Sequence, residues 1–115
     1  MPIDWADNIL IADLADEPLL SEELADVVGR LETTELASTP HVVLNLTNVS
    51  YLGSSNIGQL LSLRKLLLER KRSLKLCCVN DEVKSIFSVT GILKLFVFAP
   101  DPMTALAGIQ LDEAD

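Results

Sequence analysis

The chain has 115 residues, 49% hydrophobic and 4% aromatic, with a formal net charge of −8 at pH 7. This length sets one small domain whose core rests on Leu, Val and Ile, and a charged fraction of 23% excludes a disordered chain. The acidic balance excludes nucleic acid as the main partner, because phosphate backbones need Lys and Arg opposite them.

Residues 8–13, Asn-Ile-Leu-Ile-Ala-Asp, predict the first strand, which Asp16, Glu17 and Pro18 end. Ser21 is the expected N-cap of a helix, with Glu22 and Glu23 in its positive first turn. Leu24, Val27, Val28 and Leu31 then fall at i, i+3, i+4 and i+7, the spacing of a core-facing stripe. Residues 33–40 are polar, end in proline and predict a loop. Residues 42–46, Val-Val-Leu-Asn-Leu, form a second strand, apolar enough to be covered on both faces. A turn of Gly53, Ser54, Ser55 and Asn56 leads into a helix over 54–71. Its expected apolar stripe is Ile57, Leu60, Leu61, Leu67 and Leu68, with Arg64, Lys65, Glu69 and Arg70 toward water.

Residues 74–79 predict a third strand, with Cys77 and Cys78 pointing to opposite faces. Neighbouring cysteines make a poor structural disulfide and lack partners for zinc, so both read as small apolar residues. Asn80 or Asp81 caps a short helix carrying Val83, Ile86, Phe87 and Thr90, closed by Gly91 at C′. Residues 95–98 give a fourth strand. Asp101 is the next cap and Pro102 opens a last helix over 102–108, followed by an acidic tail over 109–115. Strand and helix thus alternate four times. The pattern predicts one α/β domain of about four mostly parallel strands with four helices, its core over residues 8–108.

Charge is uneven along the chain. Residues 1–40 hold ten acids and one base, Arg30, whereas residues 64–75 hold six of the nine bases. That basic run reads either as a solvated helix C-terminus or as a face for a partner or anion. No apolar run approaches the ~18 residues that span a bilayer, so no membrane insertion is expected. The acidic start lacks the basic segment of a signal peptide, which points to a cytoplasmic location.

The turn at residues 53–56 is where chemistry concentrates. Gly53 and Gly58 have the spacing of a phosphate loop, but Gln59 and Leu60 stand where that loop needs Lys and Ser/Thr. The second glycine of a nucleophile elbow is missing as well. His41, the only histidine, precedes the second strand, while the serines follow its far end roughly 16 Å away. It reads as a solvated residue at a strand start, and no Ser–His pair forms. No catalytic residue, metal cluster or cofactor is expected. The C-terminal end of a parallel strand and the following helix N-terminus still favour negative charge. Ser54 or Ser55 can therefore cap the helix, bind an anion or accept a phosphoryl group, which adds about −1.5 to −2 charge.

The segment Val42-Val-Leu-Asn-Leu-Thr-Asn-Val-Ser-Tyr-Leu-Gly-Ser-Ser-Asn-Ile-Gly-Gln-Leu-Leu-Ser-Leu-Arg-Lys resembles the core of the STAS domain of bacterial anti-sigma factor antagonists. That family has an apolar strand, an Asp-Ser-Ser/Thr-Gly-Leu-Gly type turn and a Leu-rich helix. Residues 74–80, 83–91 with Thr90-Gly91, and 95–98 also fit, so the resemblance covers about residues 8–108. It implies a non-enzymatic switch that captures an anti-sigma factor that is also a serine kinase. Phosphorylation of the first serine releases that partner, and a serine phosphatase restores binding. By motif position the acceptor is Ser54, with Ser55 as the alternative. The binding face takes in Gly53, Ser54, Ser55, Asn56 and the exposed side of the helix that follows. This chain departs from the family in having Gly53 for Asp, Asn56 for Gly, and one strand before Ser21 where many members have a hairpin. Two other readings stand beside it. One is a constitutive scaffold subunit of a signalling or transporter-associated assembly, with an oligomer possible. The other is a module binding a nucleotide or other anion.

Overall fold

In the computed structural model, which describes residues 1–114, the chain begins with a hairpin rather than a single strand. Strands β1 (Ile3–Ala6) and β2 (Ile9–Ala15) pair antiparallel, from Ile3 opposite Ala12 to Ala6 opposite Ile9. Asp7 and Asn8 make the turn. Asp7 sits at φ 54°, a left-handed conformation that Asp and Asn tolerate better than most residues. The expected single strand is therefore corrected, and the sheet has five strands, not about four. The first is missed because Trp5 is 59% exposed and Asp4 breaks the apolar pattern.

The remaining elements are α1 (Leu20–Glu32), β3 (His41–Asn48), α2 (Ser54–Glu69), β4 (Leu74–Cys77), α3 (Asp81–Val89), β5 (Val97–Ala99) and α4 (Pro102–Ala114). The strands lie in the order β1-β2-β3-β4-β5, with every pair after the hairpin parallel. Strand alternation sorts the core into two layers. Leu10, Ala12, Val42, Leu44 and Leu76 face α1, α2 and α3 in the main core. Ile9, Val43 and Cys77 face the opposite way, under Ala105 and Ile109 of α4. Phe87 of α3 meets the rings of Phe96 and Phe98 edge-on, each at 5.3 Å between centroids.

Several helix ends form as the sequence predicts. Asn80 accepts the Val83 N–H at 2.8 Å, and Asp101 accepts the Thr104 N–H at 2.8 Å. Gly91 takes φ 77° after α3, and the Ile92 N–H returns to the Phe87 carbonyl at 3.0 Å. Ser21 does not cap α1, which starts one residue earlier. Its amide and hydroxyl instead donate to the Glu17 carboxylate, each at 2.6 Å.

Other expectations need correction. The buried stripe of α2 is Leu60, Leu63 and Leu67, so Leu68 lies past its edge and is 56% exposed. Arg70 does not favour water. It donates to the carbonyls of Leu31 and Thr34 and to the Thr39 hydroxyl, stapling the 33–40 loop to α2. Cys78 follows the end of β4 with φ 60°, which breaks the strand alternation. Its side chain packs on the same layer as Cys77 instead of the opposite face. β5 begins at Val97, because Leu93–Leu95 form a tight helical turn. The last helix runs to Ala114, so most of the expected acidic tail is helical, and Asp115 lies outside the described residues. No helix among the described residues is long and apolar enough to cross a membrane.

Candidate functional site

The serines sit at the rim formed by the C-terminal ends of β2, β3 and β4 and the first turns of α1, α2 and α3. Between β3 and α2, Val49 and Leu52 are buried in the main core and anchor the loop from inside. Ser50 and Tyr51 are left outside. The Ser50 amide and hydroxyl donate to the Asp16 carboxylate at 2.8 and 2.5 Å, joining the loop after β2 to the loop after β3. The Ser50 hydroxyl, and then its amide, hold the Asp16 carboxyl below its ordinary value. The Ser21 hydroxyl and amide do the same for Glu17. Asn80 donates from Nδ2 to the Val49 carbonyl at 3.2 Å, tying the start of α3 to this loop.

Gly53 is the N-cap of α2, with an extended backbone at φ −87° and ψ 174°. Neither serine is the cap, which corrects that expectation. Asn56 instead reaches back, its Oδ1 accepting the Gly53 N–H at 2.9 Å. Its Nδ2 donates to the Ser21 hydroxyl at 3.4 Å, and Gln59 Nε2 donates to the Ser21 carbonyl at 2.9 Å. These bonds cross-brace the first turns of α1 and α2.

Ser54 and Ser55 are the first two residues of α2. Both are exposed, and neither hydroxyl has a partner among the described residues. The first-turn amides of α2 open toward the same solvent. Residues 53–56 thus form one turn, in which the two serines face out and Asn56, 2% exposed, faces in. Chemically, the turn offers two free hydroxyls on a braced support beside the positive end of a helix.

Histidine 41 opens β3, at the other end of that strand from the serines. It is buried, not solvated as expected: its Nδ1 accepts the Ser73 N–H at 2.9 Å. Among the described residues no three His, Cys, Asp or Glu side chains gather to hold a metal ion. Sequence reasoning missed Asp16, Glu17, Ser50 and Tyr51 as parts of this rim. Tyr51 is 66% exposed beside the serine turn, and Leu19, at the N-cap of α1, is 51% exposed. A lone tyrosine in a polar loop was the available signal.

A family model of the STAS domain matches residues 7–105. An anti-sigma F factor antagonist of Paenibacillus polymyxa is 26% identical over 106 residues, 90% of this chain and 89% of that protein. Among solved structures, a serine-to-glutamate form of RsbS from Moorella thermoacetica superposes with a TM-score of 0.81 at 11% identity. That match covers 99% of this chain and 97% of the other. The STAS domain of a SulP transporter from Vibrio cholerae gives 0.79 at 17% identity, over 97% of this chain and 89% of that one. At these identities the two structures speak to the fold alone.

Proposed function

The chain belongs to the STAS domain family, and on that basis we propose that it is an anti-sigma factor antagonist-like interaction switch controlled by phosphorylation of Ser54. Its partner is an anti-sigma factor that is also a serine kinase, met in the bacterial cytoplasm. The observation that carries this reading is the pair of exposed, unpartnered hydroxyls of Ser54 and Ser55 on the first turn of α2. In the unphosphorylated state the partner covers the 53–56 turn, with Tyr51 and Leu19 as flanking apolar contacts. The kinase then moves the terminal phosphoryl group of ATP to Ser54 Oγ, and the hydroxyl proton leaves. The turn gains about −1.5 to −2 charge, which the α2 amides accommodate and an acidic partner surface rejects. A phosphatase hydrolyses the ester and resets the turn. The chain performs no catalytic step itself.

Pull-downs from the native cell with wild type, Ser54→Ala and Ser54→Asp, together with mass-spectrometric mapping of phosphate, test the switch. The expected result is a phosphate on Ser54, or on Ser55 as the alternative, and loss of the partner from the Ser54→Asp form. If no serine of this turn carries phosphate and Ser54→Asp retains the same partners, the switch is wrong. The remaining reading is then a constitutive scaffold subunit, which Gly53 favours by placing no carboxylate beside the acceptor.

A further inference from the structure

At the other end of α2 from the serines lies a groove of about 380 Å³, where α2 ends and β4 and β5 begin. Leu67 and Phe96 floor it, and both are buried. Its walls hold Leu68, Leu95 and Val97, which remain 56%, 41% and 53% exposed, so the apolar surface is unpartnered. Among the described residues, three cations also line it, Arg64, Arg72 and Lys75, against one carboxylate, Asp112.

In a chain with 17 acids and 9 bases, this local excess is unusual. Among the described residues, none of the three cations is in a salt bridge. The one ion pair among the described residues joins Arg30 to Asp26. Arg64 Nε is pinned to the Leu95 carbonyl at 2.7 Å, which fixes its guanidinium on the groove wall without neutralising it. Arg72 Nε is held by the Thr39 carbonyl at 2.6 Å, and its other nitrogens donate to the carbonyls of Arg70, Lys71 and Ala37. This guanidinium is engaged by backbone, which leaves contact with an anionic head to Arg64 and Lys75. The Lys75 ammonium lies beside α4 at Gly108, where an added Cβ would come within 2.5 Å of Nζ. An apolar floor flanked by a few polar groups is a common build of a small-ligand site, and the volume falls in the usual range.

We infer that this groove binds a single-chain amphipathic anion, a carboxylate or phosphate head on a medium-length alkyl body. The alkyl chain lies over Leu67, Leu68 and Phe96, and the head meets Arg64 and Lys75. The site is independent of the serine turn and does not rest on the switch reading. A peptide added along β5 is less well served, since that strand offers only three residues to pair with.

The test is an amide NMR titration of the full chain with decanoate below its micelle concentration, with decanol and inorganic phosphate as separate probes. Saturable shifts are expected at Leu68, Leu95 and Val97 with decanoate, weaker ones with decanol and none there with phosphate. Lys75→Gln should weaken decanoate binding by about twofold to fivefold, the range of one exposed charge contact. Leu68→Glu changes an exposed side chain and should abolish binding while leaving the spectrum of the serine rim unchanged. Decanol binding as tight as decanoate, shifts confined to other surfaces, or unchanged binding by Leu68→Glu would each overturn the inference. So would retention on phosphatidylglycerol vesicles without decanoate binding, or a dimer in sedimentation that buries Leu68.

Discussion

Asn56 holds the serine turn more firmly than either serine does. Its side chain satisfies the Gly53 amide and touches Ser21 across the rim. Asn56→Ala removes both and leaves a backbone donor unpaired. Denaturant unfolding should show a loss of about 1–2 kcal/mol. Gly53 behaves differently. Its backbone is extended, a conformation open to any residue, and an added Cβ would meet only Asn56 Oδ1 at 3.6 Å and the Tyr51 ring at 3.9 Å. Gly53→Asp therefore fits, and it places a carboxylate at the positive end of α2. A thermal melt should show a gain of about 0.3–1 kcal/mol. The caps at Asn80 and Asp101 were legible because a polar side chain there meets an amide three residues on. Glu17 was not: its carboxylate reaches four residues forward to Ser21, past Pro18, so the acid read only as the end of a strand.

Among the elements, the alternation of strand and helix was legible from residue 9 onward, because β2 to β5 each carry an apolar run. The hairpin before them was hidden by Asp4 and exposed Trp5, and edge strands keep little hydrophobic pattern. Helix α2 presents the opposite difficulty. It has leucine at 60, 61, 63, 66, 67 and 68, so composition alone cannot say which side is inward. Packing decides for Leu60, Leu63 and Leu67. Leu63→Ala should cost about 2–5 kcal/mol, whereas Leu68→Ala should change stability by less than about 0.5 kcal/mol. Equilibrium unfolding of the two variants separates the observed stripe from the predicted one. The orientation of the candidate site was legible in part: the serines fall on the rim as the strand–helix order requires, but the bracing that fixes them joins residues more than thirty positions apart.

For the molecule as a whole, acid should loosen the serine rim. Asp16 and Glu17 both have carboxyl values lowered in the fold from 3.8 and 4.5 by their Ser50 and Ser21 contacts. The stability they contribute is present above those unfolded values and is lost as pH falls through the lower folded ones. Asp16→Asn should flatten the acid limb of a stability–pH curve and leave it unchanged at pH 7 and above apart from a constant offset. The two-layer core carries a separate consequence for cooperativity. Helix α4 is joined to the sheet through Ala105, Leu106 and Ile109, while the other three helices share one larger layer. Detachment of α4 alone would bare Cys77, whose thiol burial pushes up to about 12, without parting α1 from α2. A thiol reagent should then modify Cys77 under native conditions at a rate set by this partial opening, faster than global unfolding allows. Equal rates for the two processes would make the domain a single cooperative unit.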